Sequence, residues 1–161
     1  MHPASKHKIV ALDSWVQPPK CDFDHDIVQY LNTTAAELPE RIKDATIVIT
    51  SAIAISRKSI ESAPNLELVA CNGTGTDHID KDAIREKGIS LCRVPAQNTD
   101  SVSEHAFALY YAIRRRIVEM HAIAMDGKTW AGNNLLIRNF SQPPRTNSEE
   151  TLIVIGYGAL G

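Results

Sequence analysis

The stretch ETLIVIGYGALG, residues Glu150–Gly161, decides the fold. Within it, Thr151–Ile155 is a short apolar run of mostly β-branched residues, which is typical of a buried strand. The run leads directly into Gly156, Gly158 and Gly161, at the G-x-G-x-x-G spacing of the first turn in a dinucleotide-binding βαβ unit. In such a turn the first glycine allows a tight bend, the second lets a pyrophosphate approach the backbone, and the third lets the next helix pack closely.

This fingerprint is a weak signal by itself, because glycine-rich turns after strands are common. The helix whose N-terminus would hold the phosphates does not follow within the 161 residues. The acidic residue expected about 20 positions later does not follow either. We therefore interpret the fingerprint as half of a cofactor site, whose meaning depends on the rest of the chain.

The composition is that of a small folded protein with a small-molecule partner. Hydrophobic residues make up 43% of the 161, which is enough for the core of one ordinary domain or two small ones. A formal net charge of -2 predicts neither a nucleic acid nor an anionic membrane as partner, since both need a basic surface. The polar start and the short apolar runs predict no signal peptide and no membrane span, so a cytoplasmic location is expected.

The three cysteines, Cys21, Cys71 and Cys92, are odd in number and have no C-x-x-C spacing. They lie in or beside predicted strands, so we expect buried free thiols rather than disulfides or a zinc site. No metal is predicted.

Short apolar runs alternate with short helical segments over residues 1–98. The predicted strands are Lys8–Leu12, Asp26–Leu31, Thr46–Thr50, Leu66–Cys71 and Ser90–Arg93. The predicted helices are Ala35–Ile42, Ser56–Ser62 and one that Asp80 caps and Gly88 ends. Strands that alternate with helices imply right-handed crossovers and a parallel sheet covered on both faces. We therefore predict an α/β domain over residues 1–98.

From Asn98 the pattern becomes that of one long helix. Apolar residues recur at helical spacing to about Ala124, and Ser101 and Glu104 have the spacing of a capping box. A helix of this length suits an element that bridges two domains. Asn98 itself either caps the helix or offers its side-chain amide to a ligand. The polar loop that follows, 126–150, is of a length that is uncommon unless the loop is functional or packs on a partner.

Adjacent side chains on a helix diverge by about 100°. This divergence separates Arg114, Arg115 and Arg116, which favours a solvated or interfacial face over a phosphate site. It also prevents Glu104 and His105 from forming a catalytic dyad. His105 is therefore expected to be a packed structural histidine.

The turn after the fourth strand, Asn72–Asp80, contains Gly73 and Gly75. Two glycines at this point leave backbone N–H groups exposed at the carboxyl edge of a parallel sheet, where open α/β sheets bind ligands. Such amides form an anion-binding nest suited to a carboxylate or a phosphate. The alternative is a tight turn in which Asp77 and Asp80 act only as caps, and the residues leave both interpretations open.

Three motifs in order carry a family resemblance. LELVACNGTGTDHID (66–80), GISLCRVPAQNTDSVSEHAFAL (88–109) and LIVIGYGALG (152–161) together resemble the D-isomer-specific 2-hydroxyacid dehydrogenase family, and the chain is also similar to formate dehydrogenases. The resemblance implies a flavodoxin-like substrate domain, residues 1–98. It implies that residues 99–161 are the interdomain helix, a loop and the first strand of a truncated, Rossmann-like NAD(P)-binding domain. A homodimer is implied for the full-length form.

By the same resemblance, the backbone amides of Thr74 and Gly75 would hold the substrate carboxylate, and Asn98 would face the cleft. Val102 would lie near the nicotinamide. The cofactor would contact the fingerprint residues Gly156, Tyr157, Gly158, Ala159, Leu160 and Gly161. The backbone of Ala159 and Leu160 would lie near the pyrophosphate. The chain departs from the family at His78, where asparagine is frequent, and at Ala159, where a basic residue is frequent.

The resemblance implies an NAD- or NADP-dependent oxidoreductase that interconverts 2-oxo acids and D-2-hydroxy acids, similar to glyoxylate/hydroxypyruvate reductases. The arginine, acidic residue and histidine that perform catalysis in the family follow the fingerprint, so we expect no catalytic residue in this chain and no activity from it alone. The alternative is a non-catalytic, NAD-sensing regulatory protein, similar to the corepressors of the same fold.

Overall fold

The computed structural model describes residues 6–15, 17–133 and 143–161 of the chain. The chain divides into two compact units, Met1–Gln97 and Asn98–Gly161. In the described ranges, no helix is both long enough and apolar enough to cross a membrane.

The first unit is a five-stranded parallel sheet with three short helices. The strands are β1 (His7–Ala11), β2 (His25–Gln29), β3 (Ile47–Thr50), β4 (Leu68–Cys71) and β5 (Ser90–Arg93). The helices are α1 (Leu38–Ile42), α2 (Arg57–Glu61) and α3 (Lys81–Glu86). The strand order is β2-β1-β3-β4-β5 and every neighbouring pair is parallel, which is the flavodoxin-like order. The predicted α/β fold is confirmed.

The central strands supply the core of this unit. Val10 in β1, Val48 in β3 and Val69 in β4 are at most 1% exposed. The buried helical side chains in the same core are Leu38, Ile42, Ile60, Ala83 and Ile84. Parallel strands that are buried on both faces read as continuous apolar runs, which is why the sequence predicts them. The edge strand β2 is different, because Ile27 and Val28 are exposed.

Capping side chains set the starts of two helices. Ser56 accepts a hydrogen bond from the N–H of Ser59 at α2, and the Asp80 carboxylate accepts one of 2.9 Å from the N–H of Ala83 at α3. Gly88, with a left-handed φ of +68°, follows the end of α3. The predicted roles of Asp80 and Gly88 are confirmed.

Helix α1 begins at Leu38 rather than at Ala35. In the preceding turn, Oε2 of Glu37 accepts the N–H of Thr34 at 2.9 Å and its O–H at 2.7 Å, and these bonds lower the pKa of Glu37. The turn leads into the helix, because the Thr34 carbonyl accepts the N–H of Leu38 at 3.1 Å. Pro39 is accommodated there, since N–H groups in the first helical turn have no partner within the helix.

The second unit is helical at its start and irregular at its end. Its elements are α4 (Thr99–Arg114), α5 (Ile117–Met125), α6 (Thr129–Asn133) and a 3₁₀ helix (Asn147–Glu149). The predicted single helix to about Ala124 is wrong, because Arg116 has a left-handed φ of 48° between α4 and α5. The predicted capping box is also wrong, since Ser101 lies inside α4 and donates its hydroxyl to the Asn98 carbonyl at 3.2 Å. Of the predicted loop, residues 134–142 lie outside the described residues.

The predicted strand Thr151–Ile155 is wrong for the described chain, where this segment forms no strand. A strand needs a neighbour to accept and donate its backbone hydrogen bonds. The described part of the second unit contains no other strand that could be that neighbour. The apolar side chains are exposed as a result, and Ile155 is 98% exposed.

Two expectations about burial are also wrong. The three cysteines are free, as predicted, but only Cys71 is buried; Cys21 is half-buried and Cys92 is exposed. Cys92 lies on β5, an edge strand of the sheet, which explains its exposure. His105 is an exposed residue of α4 rather than a packed histidine.

Candidate functional site

The candidate site lies at the carboxyl edge of the sheet, in the turn Asn72–Asp80 that follows β4. The N–H of Asn72 donates to the Thr50 carbonyl at 2.8 Å, so the turn starts beside the end of β3. On the other side, the N–H of Val94 donates to the Gly73 carbonyl at 3.0 Å, beyond the end of β5. The turn is therefore anchored between the two strands that flank β4.

Two further contacts hold Thr74. Its hydroxyl donates to the Val94 carbonyl at 3.2 Å, and its carbonyl accepts a hydrogen bond of 2.8 Å from Nη1 of Arg93. Both partners lie at the end of β5. A ligand that bound here would meet a backbone that is already ordered, which lowers the entropic cost of binding.

Gly75 is exposed, and within the described chain its N–H donates no hydrogen bond. Neither Gly73 nor Gly75 has the left-handed φ that favours glycine. A Cβ on Gly73 would lie 3.7 Å from the Ser51 carbonyl oxygen, and one on Gly75 would lie 3.9 Å from Oδ2 of Asp77; both are ordinary contacts. The fold itself therefore does not require glycine at either position, and the open space beside Gly75 is available to a ligand.

Cys71, at the end of β4, contacts two residues of the turn, Gly75 and His78. Sγ of Cys71 donates to the Gly75 carbonyl at 3.4 Å and lies 3.9 Å from Nε2 of His78. Burial raises the pKa of the Cys71 thiol, and the negative charges of Cys92 and Asp13 raise it further. Cys71 and His78 belong to no metal-binding cluster, because the described residues contain no group of three or more His, Cys, Asp or Glu that could hold an ion.

Asp13, which the sequence analysis does not single out, joins β1 to β3 at the same edge of the sheet. It is 5% exposed. Its Oδ2 accepts the N–H of Ser51 at 2.8 Å, and its Oδ1 accepts the Ser51 hydroxyl at 2.8 Å. Oδ1 also accepts the N–H of Trp15 at 3.3 Å. The available signal was an acidic residue at the end of the buried run KIVAL, beside the point where the strand order reverses.

Asn98 and Val102 belong to the second unit. Asn98 precedes α4, and its side chain makes no capping hydrogen bond to that helix. Its carbonyl accepts the N–H of Val102 at 2.9 Å. The interpretation of Asn98 as a side-chain cap is therefore wrong, whereas an amide offered to a ligand stays a prediction. Val102 is exposed on α4.

The fingerprint forms a closed turn. Gly156 has a left-handed φ of +96°, and the N–H of Gly161 donates to the Gly158 carbonyl at 3.2 Å. A Cβ on Gly161 would lie only 2.9 Å from the Gly156 carbonyl, whereas one on Gly158 would meet nothing within 4 Å. The turn thus needs its first and third glycines, and the second leaves the open backbone that a pyrophosphate requires. These residues fit the phosphate-binding part of a dinucleotide site.

The other residues of the fingerprint are exposed. Tyr157 and Ala159 face solvent, and Leu160 is partly covered. Leu160 and Gly161 line an apolar cavity of about 260 Å³ together with residues of α4 that include Phe107. The end of the fingerprint and α4 therefore line the same cavity within the second unit.

Arg114 and Arg115 line one cavity together with Arg145, whereas Arg116 does not line it, so the predicted separation holds for Arg116 only. Arg114 pairs with Glu150, and its Nη2 donates to the Arg145 carbonyl at 2.5 Å. Nη1 of Arg116 lies 3.4 Å from a carboxylate oxygen of Glu119. The geometry does not support one phosphate site for the three side chains.

The fold defines a doubly wound α/β protein with a glycine-containing turn, Asn72–Asp80, at the carboxyl edge of its sheet. A profile of the D-isomer specific 2-hydroxyacid dehydrogenase catalytic domain matches residues 9–156. The chain is 32% identical over 152 residues to a glycerate dehydrogenase of Methylorubrum extorquens, covering 94% of this chain and 47% of that one.

Two solved structures share the fold. The first is an NAD-dependent formate dehydrogenase of Staphylococcus aureus in complex with NAD, with a TM-score of 0.63, 26% identity, and coverage of 74% of this chain and 42% of that one. The second is an NADPH-dependent glyoxylate/hydroxypyruvate reductase of Sinorhizobium meliloti in complex with NADP and malonate. Its TM-score is 0.69 at 19% identity, with coverage of 98% of this chain and 48% of that one.

The chain belongs to the D-isomer specific 2-hydroxyacid dehydrogenase family. The resemblance found in the three sequence motifs is confirmed. The chain spans about half the length of the curated relatives that it matches.

Proposed function

We propose that this chain supplies the substrate-carboxylate site and part of the cofactor site of an NAD- or NADP-dependent oxidoreductase that interconverts 2-oxo acids and D-2-hydroxy acids. Membership of the family supports the reaction class. The name of the glycerate dehydrogenase that it resembles supports a small hydroxy acid of the glycerate/hydroxypyruvate type as substrate.

The observation that carries the proposal is the ordered turn after β4 with the available N–H of Gly75. A 2-oxo acid carries a carboxylate beside its reactive carbonyl. Consecutive backbone amides at the carboxyl edge of a parallel sheet form a concave, partly positive surface that suits such an anion. The hydrogen bonds from Thr74 to Val94 and from Arg93 to Thr74 keep that surface in place before the ligand arrives.

Each predicted site residue has one role in this proposal. The amides of Thr74 and Gly75 hold the carboxylate, and the side chain of Asn98 faces the ligand. Val102 would lie beside the nicotinamide ring when the cofactor is bound. The backbone of the fingerprint turn, 156–161, holds the pyrophosphate, for which the open Gly158 and the closed Gly156–Gly161 contact are suited.

The nicotinamide cofactor supplies or accepts the hydride when it is bound. The residues of this chain bind and orient the carboxylate, so that the adjacent carbonyl carbon is held at a defined position in the site. We assign proton transfer to none of the described residues. We propose accordingly that the 161-residue chain binds 2-oxo acids but does not turn them over by itself.

A comparison of two ligands and two variants tests the proposal. Glyoxylate has the carboxylate and glycolaldehyde lacks it, so saturation-transfer NMR is expected to detect binding of glyoxylate only. Gly75→Ala places a methyl group beside the amide and is expected to weaken glyoxylate binding by about tenfold. Lys58→Ala, at an exposed position in α2, is the matched control and is expected to change nothing.

Two results would contradict the proposal. One is equal binding of glyoxylate and glycolaldehyde, because the carboxylate would then not be the group recognised. The other is oxidation of NADH or NADPH by glyoxylate in the presence of the purified chain, which would mean that its own residues complete the reaction.

A further inference from the structure

Asp13 is buried, but it belongs neither to the hydrophobic core nor to the proposed substrate site. We propose that Asp13 is a positioning residue for the carboxylate site: it fixes Ser51 at the end of β3, and Ser51 forms the wall against which the turn after β4 is packed. This inference rests on the proposed function.

The burial of Asp13 indicates that its hydrogen bonds are needed. A carboxylate that is only 5% exposed loses most of its hydration, which is unfavourable unless donors replace the water. Three donors do so, and two of them, the N–H and the hydroxyl, come from Ser51. The charge therefore fixes the position of Ser51 more tightly than any neutral acceptor would.

A second set of hydrogen bonds holds the segment after β3 that contains Ser51. The hydroxyl of Thr50 accepts the N–H of Ile53 at 3.1 Å and lies 3.2 Å from the Ile53 carbonyl, to which it can donate. Thr50 itself is fully buried. The segment from Thr50 to Ile53 therefore has one anchor in β3 and another in Asp13, and the Asp13 anchor connects it to a different strand.

Ser51 is in turn a neighbour of the candidate site. Its carbonyl oxygen lies 3.7 Å from the place that a Cβ on Gly73 would occupy. The N–H of Asn72 donates to the carbonyl of Thr50 at 2.8 Å, so the first residue of the site is bonded to the same segment. If Asp13 released Ser51, the wall beside Gly73 would become mobile, and the amides of Thr74 and Gly75 would lose their fixed spacing.

The position of the Asp13–Ser51 pair in the sheet is relevant to ligand binding. Asp13 follows β1 and Ser51 follows β3, and in the order β2-β1-β3-β4-β5 the side on which successive strands are added to the parallel sheet reverses between these two strands. Ligand crevices of doubly wound sheets open at this point. The Asp13–Ser51 pair joins the ends of β1 and β3 at this point.

Four variants, measured by amide-resolved NMR titration of the chain with glyoxylate, test the inference. Asp13→Ala removes all acceptors and is expected to weaken binding at the Thr74 and Gly75 amides by about tenfold. Asp13→Asn keeps an acceptor for the Ser51 N–H, so it is expected to recover at least about half of the lost binding free energy. Ser51→Ala removes one donor and is expected to weaken binding by about threefold.

The charge-matched control is Asp44→Asn. Asp44 pairs with Lys8 at 3.2 Å and precedes β3, at the opposite edge of the sheet, so its loss is expected to leave glyoxylate binding unchanged. A folded Asp13→Ala chain that binds glyoxylate as tightly as the wild type would overturn the inference. A loss of the same size in Asp44→Asn would also overturn it, because net charge rather than position would then be responsible.

Two outcomes separate this inference from folding defects and from the proposed function. If Asp13→Ala does not fold, Ser51→Ala decides, and unchanged binding in that variant refutes the inference. If the wild type shows no response to glyoxylate, the proposed function fails instead. Hydrogen exchange then tests Asp13, since Asp13→Ala should speed exchange at the Asn72 amide, which donates to the Thr50 carbonyl, by about tenfold, and unchanged exchange would refute its role.

Discussion

The hydroxyl of Thr74 donates a hydrogen bond of 3.2 Å to the carbonyl of Val94, which joins the turn after β4 to the end of β5. This bond connects two points of the chain that are 20 residues apart. It is the contact that most directly limits the movement of the candidate carboxylate site, because it involves the residue whose amide is assigned to the ligand.

Thr74→Val replaces the hydroxyl with a methyl group of similar size. We expect a loss of about 0.5–1.5 kcal/mol in the free energy of unfolding, measured by urea titration, because the hydrogen bond to Val94 is lost. Thr76→Val, in the same turn, is the control, since its side chain makes no hydrogen bond within the described chain. Equal losses in the two variants would contradict the assigned role of the Thr74 hydroxyl.

Gly88→Ala tests the left-handed conformation after α3. No atom lies within 4 Å of the position of the new Cβ, so the whole effect comes from the φ of +68°. We expect a loss of about 1 kcal/mol in stability. Gly73→Ala is the control, because its Cβ would make only ordinary contacts at 3.7 and 3.8 Å without a left-handed φ, and its stability should change by less than about 0.5 kcal/mol. A larger loss of stability in Gly73→Ala than in Gly88→Ala would contradict the assignment of the effect to the left-handed φ of Gly88.

Ile60→Ala tests the core beneath α2. Ile60 is 0% exposed, so its truncation leaves a cavity and should cost about 2–5 kcal/mol of unfolding free energy. Ile27→Ala on the edge strand β2 changes the same side chain at a position that is 42% exposed and should cost about 1 kcal/mol or less. Similar chemical denaturation midpoints for the two variants would show that the buried face of the sheet is assigned incorrectly.

The Cys71 thiol gives a pH-dependent prediction. Burial, followed by the charges of Cys92 and Asp13, raises its pKa, so the folded chain holds the thiol proton more tightly than the unfolded chain. Stability from this source is therefore complete below the ordinary thiol pKa of about 8.5 and is lost as the pH rises above it. The melting temperature of Cys71→Ala should fall less steeply with rising pH than that of the wild type over this alkaline range. A parallel pH dependence in the two proteins would contradict the prediction.

Thiol reactivity offers an independent comparison of the cysteines. The thiolate is the reactive form, and Cys71 is both buried and difficult to ionise. Exposed Cys92 should react with iodoacetamide at least about tenfold faster at neutral pH, as followed by peptide mass spectrometry. Faster labelling of Cys71 than of Cys92 would show that the turn covering Cys71 opens readily.

Much of the first unit is predictable because its signals are local. Buried parallel strands give continuous apolar runs, Asp80 has the side chain that caps a helix, and Gly88 has the freedom to end one. The sequence also identifies the turn around Thr74 and Gly75, because two glycines directly after a strand are visible without any structure.

Other features depend on contacts between residues that are far apart in the chain, and these could not be predicted. The Asp13–Ser51 pair joins residues separated by 38 positions, so neither residue reveals it alone. The break at Arg116 has no glycine or proline to announce it. The apolar run Thr151–Ile155 has the composition of a strand, but a strand is completed only by a neighbour that is absent from the described second unit.

The most direct test of the account is an amide-resolved NMR titration of the chain with glyoxylate. Concentration-dependent shifts are expected to be largest at Thr74 and Gly75, with no comparable shifts when glycolaldehyde is added. Shifts confined to other parts of the chain, or identical responses to the two compounds, would contradict the assignment of this turn as the carboxylate site.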